Sequence, residues 1–105
     1  MTVLPIKITR YVDSNFPGWV ECEFLDSADR RHAFLEKIPV VTTQSVFPES
    51  AFPLEGVIAC EIVSTWRNSD GALLAKIDTS RPWRISSSEG VEIFDVLASK
   101  LVEIS

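Results

Sequence analysis

The sequence predicts an all-β domain, a small antiparallel six-stranded barrel or sandwich with room for a short helical turn near its C-terminus. Three observations predict it. Leu4, Ile6 and Ile8 alternate with Pro5, Lys7 and Thr9, the period of a half-buried strand. Turn-forming residues recur at short intervals, most plainly in Asn68-Ser69-Asp70-Gly71, and punctuate the chain as hairpins would. Few segments carry helical spacing, so antiparallel connections must join the strands. Closing such a sheet removes exposed strand edges, which favours a barrel.

The elements follow in order. The first strand is predicted at 2–12 and stops at Asp13-Ser14-Asn15 and Pro17-Gly18. The second, 18–26, turns Val20, Cys22 and Phe24 to one face and Glu21 and Glu23 to the other. Asp26-Ser27-Ala28-Asp29 forms a turn into the third, 30–41, which carries His32, Phe34, Glu36 and Ile38 on one face. Residues 42–55 contain Phe47-Pro48 and Phe52-Pro53; prolines so close forbid a central strand. This is a loop whose aromatics pack down onto the domain. A hairpin follows, with strands at 56–67 and 72–79 around Asn68–Gly71 and glycine at the left-handed position.

The last third carries two signals. Ser86 and Glu89 match a capping box, and Ile93, Val96, Leu97, Leu101 and Ile104 have helical spacing. Against a helix stand Gly90 and the β-branched run Val91–Val96. A strand over 90–97, with a helical turn or short strand after it, fits better.

At 105 residues the chain suits one domain spanning 1–105. Hydrophobic residues at 46% and charged ones at 24% belong to a globular protein, not a disordered one. Fifteen acidic residues outweigh ten basic ones, a net charge of −5. Phosphate-backbone binding needs a basic face, so nucleic acid is disfavoured, as is adsorption to anionic membrane. The Met1–Arg10 start lacks a signal peptide's apolar run. The expectation is a cytoplasmic protein in which Cys22 and Cys60 are reduced and buried.

Chemistry-bearing residues are sparse. The single histidine, His32, lies roughly 13 Å along the strand from Glu36 and cannot touch it; it reads as structural. One His and two distant Cys form no metal-ligand spacing, and no glycine-rich phosphate loop or nucleophile elbow is present. No cofactor is expected. Trp and Arg are the residues most enriched at binding hot spots, and Arg81-Pro82-Trp83-Arg84 concentrates them. The candidate binding patch is therefore Arg81, Trp83 and Arg84 with Phe47 and Phe52. The bland counterpart is a Trp83 that plugs one barrel end.

The segments His32–Val41 and Asp78–Trp83 resemble patterns in small bacterial proteins of uncharacterised function. The resemblance implies a bacterial origin and carries no functional residue over.

The expected function is a non-enzymatic protein-interaction module, such as an acidic immunity-type inhibitor of a basic partner or a complex subunit. The alternative is a small-ligand-binding barrel with aromatic walls and convergent arginines. An enzyme comes third, because it needs a cleft uniting His32, a cysteine and carboxylates.

Overall fold

The computed structural model describes residues 1–104. Six main strands form a curled half-barrel: β1 (Thr2–Asp13), β2 (Trp19–Leu25), β3 (Arg31–Lys37), β4 (Leu54–Arg67), β5 (Leu73–Asp78) and β6 (Ile93–Leu97). A helical turn, α1 (Ile38–Val41), follows β3, and a short final strand, β7 (Val102–Glu103), follows a 3-10 turn. No helix is long and apolar enough to cross a membrane. The all-β architecture matches the sequence reading.

Strand order is β3-β2-β1-β4-β5-β6, with β7 pairing β1. The first three strands are consecutive hairpins, and β4 returns by the long 42–53 connection to lie beside β1. That is a Greek-key arrangement. A second meander then runs β4-β5-β6. β4 is the spine: its first half, from Leu54 to Cys60, pairs with β1, and its second half, from Glu61 to Arg67, pairs with β5. The register slips between Ile62 and Ser64, a bulge that re-aims the strand just after β4 leaves β1.

Alternation places the core. Leu4, Ile6 and Ile8 from β1, Val20, Cys22 and Phe24 from β2, and Phe34 from β3 are buried in one cluster with Ile58, Ala75, Ile77, Phe94 and Val96. The register sets Phe24 opposite His32, Cys22 opposite Phe34 and Val20 opposite Glu36, so these residues share the inner face. On the outer face Arg10 and Arg31 pair with Glu21, and Arg31 also pairs with Glu23. Such exposed pairs add little stability.

β3 and β6 do not pair as strands. Loops close the seam instead: the Ser27 N–H donates to the Asp95 carbonyl at 2.8 Å, and the Ser88 N–H to the Ala33 carbonyl at 2.8 Å. Between them the rings of Phe24, Phe34 and Phe94 meet at centroid distances of 5.2–5.8 Å, Phe24 stacked on Phe34 and edge-to-face with Phe94. Aromatic pairs add to burial energy in this way.

Three strands differ from expectation: β4 begins at Leu54 instead of 56, β6 at Ile93 instead of 90, and β3 departs most. The third strand was expected to reach 41, but it ends at Lys37, and Ile38–Val41 coils into one helical turn. Pro39 suits that first turn, where its missing N–H would have no partner anyway. The Thr42 N–H donates back to the Ile38 carbonyl, and buried Val41 closes one end of the half-barrel. The 42–55 loop packs through Val46 and Phe52, while Phe47 remains 54% exposed. The hairpin turn is as expected: Gly71 has φ +81° and its N–H donates to the Asn68 carbonyl.

Candidate functional site

The site is built on the loop between β5 and β6. Thr79, the first residue past β5, is fully buried and organises it. The Thr79 N–H donates to the Glu92 carbonyl, and its hydroxyl to the Ile85 carbonyl at 2.6 Å. The Ile85 N–H donates back to the Thr79 carbonyl, and the Arg84 N–H to that of Ser80. Ser80 in turn donates both its N–H and its hydroxyl to Asp78. Those bonds hold the Asp78 carboxyl below its ordinary pKa range. Ile85 then drops into the core.

A loop pinned at both ends must project what lies between. Arg81, Pro82, Trp83 and Arg84 are all exposed, and Trp83 is 51% exposed. Arg84 holds a left-handed backbone at φ 55°, rare for a non-glycine residue and found where surroundings impose it. Trp83 is therefore no barrel plug. Its ring walls a groove of about 510 Å³, lined by apolar side chains including Pro39, Val40, Val57 and Ile104. The floor is β4 at Gly56, where a side chain would meet Ile6, Ile8 and the Val41 carbonyl within 3.1 Å. That lack of a side chain lets α1 sit close on β4 and shapes the groove's far wall.

The sequence-predicted patch is thus partly assembled. Arg81, Trp83 and Arg84 share one rigid loop. Arg81 reaches Glu61 at 4.0 Å, and Arg84 forms no ion pair among the described residues. Phe47 is exposed on a separate turn, where it exchanges hydrogen bonds with Ser50. Phe52 packs against the core instead of facing solvent. The sequence reading missed Thr79, whose role depends on non-local carbonyls, and Phe16, which is 97% exposed at the β1–β2 turn.

His32 has a different partner from those weighed in the sequence. Its Nε2 lies 2.8 Å from an Asp26 carboxylate oxygen, and its ring stands 4.7 Å from Phe94. Asp26 also accepts the N–H groups of Ala28 and Arg30, so it anchors the β2–β3 turn. Partial burial works against its charge, but the hydrogen bonds from His32, Arg30 and Ala28 outweigh it, leaving the carboxyl below its usual range. The thiols are no partners for this pair. Burial, with Glu36 and Glu21 nearby, pushes Cys22 up to about 12. Burial and Glu103 push Cys60 to about 11. Neither supplies a thiolate near neutral pH.

No protein-family model, curated protein or solved structure matches the chain.

Proposed function

We propose that this chain is a non-enzymatic protein-binding module that holds its partner with the Trp83 loop and the groove beside it. One observation carries the reading: a half-exposed Trp on a loop pinned through buried Thr79, at the mouth of an apolar groove. A rigid, pre-exposed aromatic loses little conformational freedom on binding, and Trp and Arg dominate measured hot spots. The complementary surface is an apolar projection for the groove with carboxylates placed for Arg81 and Arg84. The net charge of −5 would steer a partner that is basic elsewhere, which fits an inhibitor of a basic enzyme.

The groove's volume also lies within the ~300–1,000 Å³ range of small-ligand pockets, which supports a second reading: a planar, anionic ligand stacked on Trp83 and met by Arg84. The half-barrel interior is filled by Phe34, Ile58, Ile77 and Val96, so this reading too rests on the groove. Co-purification with the natural host's proteins separates them. The first reading expects one protein retained by the native chain and released by Trp83→Ala and by Arg84→Glu, with both variants folded. A protein retained equally by all three contradicts it.

A further inference from the structure

Phe16 stands almost wholly in solvent at the tip of the β1–β2 hairpin. Single exposed apolar residues are ordinary, but this ring is held out by a closed turn. The Gly18 N–H donates to the Asn15 carbonyl at 2.7 Å. The Asn15 N–H donates to one Asp13 carboxylate oxygen at 2.8 Å, and its side-chain amide to the other at 3.3 Å. An aromatic fixed in this way loses little freedom when something covers it. Asp13 is the only charge between Arg10 and Glu21. The tip therefore offers one apolar projection beside one carboxylate.

That is the complement of the Trp83 face. The groove there is apolar and holds about 510 Å³. The cations on its loop are Arg81 and Arg84, and Arg84 forms no ion pair among the described residues. Tip and groove are also neighbours on the molecule. The Ile38 N–H donates to the Gly18 carbonyl at 3.0 Å, which seats the hairpin end against α1, and Pro39, Val40 and Val41 of α1 line the groove. Phe16 is not among the residues lining the groove of its own chain, so a tip that fills a groove must come from another molecule.

We propose that the Phe16 tip of a second copy of the chain fills the Trp83 groove, and that the exchange is reciprocal. The inference rests on the binding role proposed for that groove and names one occupant for it. A two-fold axis between tip and groove carries each Phe16 into the other copy's groove and each Asp13 to the other copy's Arg84. Both contacts then form twice and the assembly closes at two chains, as an isologous interface requires. Contacts through two turns are small, so the dimer is weak, with a dissociation constant on the order of 0.1 mM. A partner protein competes with the tip for the same groove. Self-association thus covers the binding face when the chain is concentrated and its partner absent.

Sedimentation of the full chain over a range of concentrations tests this. The native chain is expected to show a monomer–dimer equilibrium with nothing larger. Phe16→Ala and Trp83→Ala change exposed side chains, so both should keep the native thermal melt, and each should weaken the dimer by about a hundredfold or more. Mixing the two variants should recover part of the association, because the intact tip of one meets the intact groove of the other. Asp13→Asn keeps an oxygen for the turn, removes the charge and should weaken the dimer several-fold. Phe16→Ala retains Trp83 and should capture the host partner at least as well as the native chain, so a missing dimer and a missing partner are told apart. A native chain that stays monomeric at about 1 mM, one that builds species beyond the dimer, or a dimer that survives Phe16→Ala overturns the proposal.

Discussion

At the scale of single residues, burial and hydrogen bonding separate the roles. Trp83 makes its ring available instead of filling the core, so Trp83→Ala should change stability by no more than about 0.5 kcal/mol. At a bound hot spot the same change costs about 2 kcal/mol or more of affinity. Chemical denaturation and titration against the partner, run side by side, check both halves. Thr79 is the opposite case. Thr79→Val keeps the shape but leaves the Ile85 carbonyl without the hydroxyl donor, and should cost about 1–3 kcal/mol. It should also release Trp83 to faster local motion, readable in fluorescence anisotropy of a chain whose other two tryptophans, Trp19 and Trp66, are changed to Phe. Asp26 brings pH into the account. Its carboxyl is below the ordinary value of 3.8 in the folded chain. Its contribution is therefore present above that pH and lost as pH falls through the depressed value. Asp26→Asn should flatten this part of the acid limb, with thermal melts from pH 5 down to pH 2.5 as the measurement (about one to two units around that value). The carboxylate's importance was hidden in the sequence. Asp26 looked like one turn residue among four, and only the Phe24–His32 register brings the ring to it.

At the scale of elements, local pattern and long-range packing contribute unequally. The alternation in β1 and β2 and the Asn68–Gly71 turn were legible because neighbouring residues alone specify them. The strand over 90–97 was legible in kind: Gly90 and the β-branched run outweighed the capping-box match, and Ser87 turned out to accept the Glu89 and Val91 N–H groups in a turn. Ile38–Val41 was misread because three β-branched residues signal strand, whereas the space beside Gly56 selects a helical turn. Gly56→Val should therefore force α1 off β4 and cost roughly 1–3 kcal/mol, the range for overpacking. Chemical-shift changes confined at first to Ile38–Thr42 and Ile6–Ile8 would mark that origin, and changes spread evenly over the chain would argue against it. Phe94 belongs to the seam, a feature no local pattern shows. Phe94→Ala removes the ring that touches Phe24, Phe34 and His32, and should cost about 3–5 kcal/mol.

At the scale of the whole molecule, one continuous core ties both meanders together through β4. Cys22 lies in the β1–β2–β3 half and Cys60 at the point where β4 leaves β1, and both are free and buried. With pKa values raised to about 12 and about 11, the thiols should react with a disulfide reagent only through opening of the fold. Both should become reactive together as denaturant is added, and early reaction of one alone would show that the halves open separately. The acidic charge was readable from composition, but the position of Trp83 was not. Whether an aromatic plugs an end or faces solvent depends on Thr79 meeting the Ile85 and Glu92 carbonyls, contacts that span 6 and 13 residues and that no local pattern marks.

The most direct test of the proposed binding face places a photoreactive phenylalanine analogue at position 83, at Thr43 across the groove, and at Ser69 in the distant hairpin turn, in the natural host. The same single protein should be captured covalently from positions 83 and 43 and not from 69. Equal capture from all three positions, or none from 83 and 43, would contradict a partner seated on Trp83 and its groove.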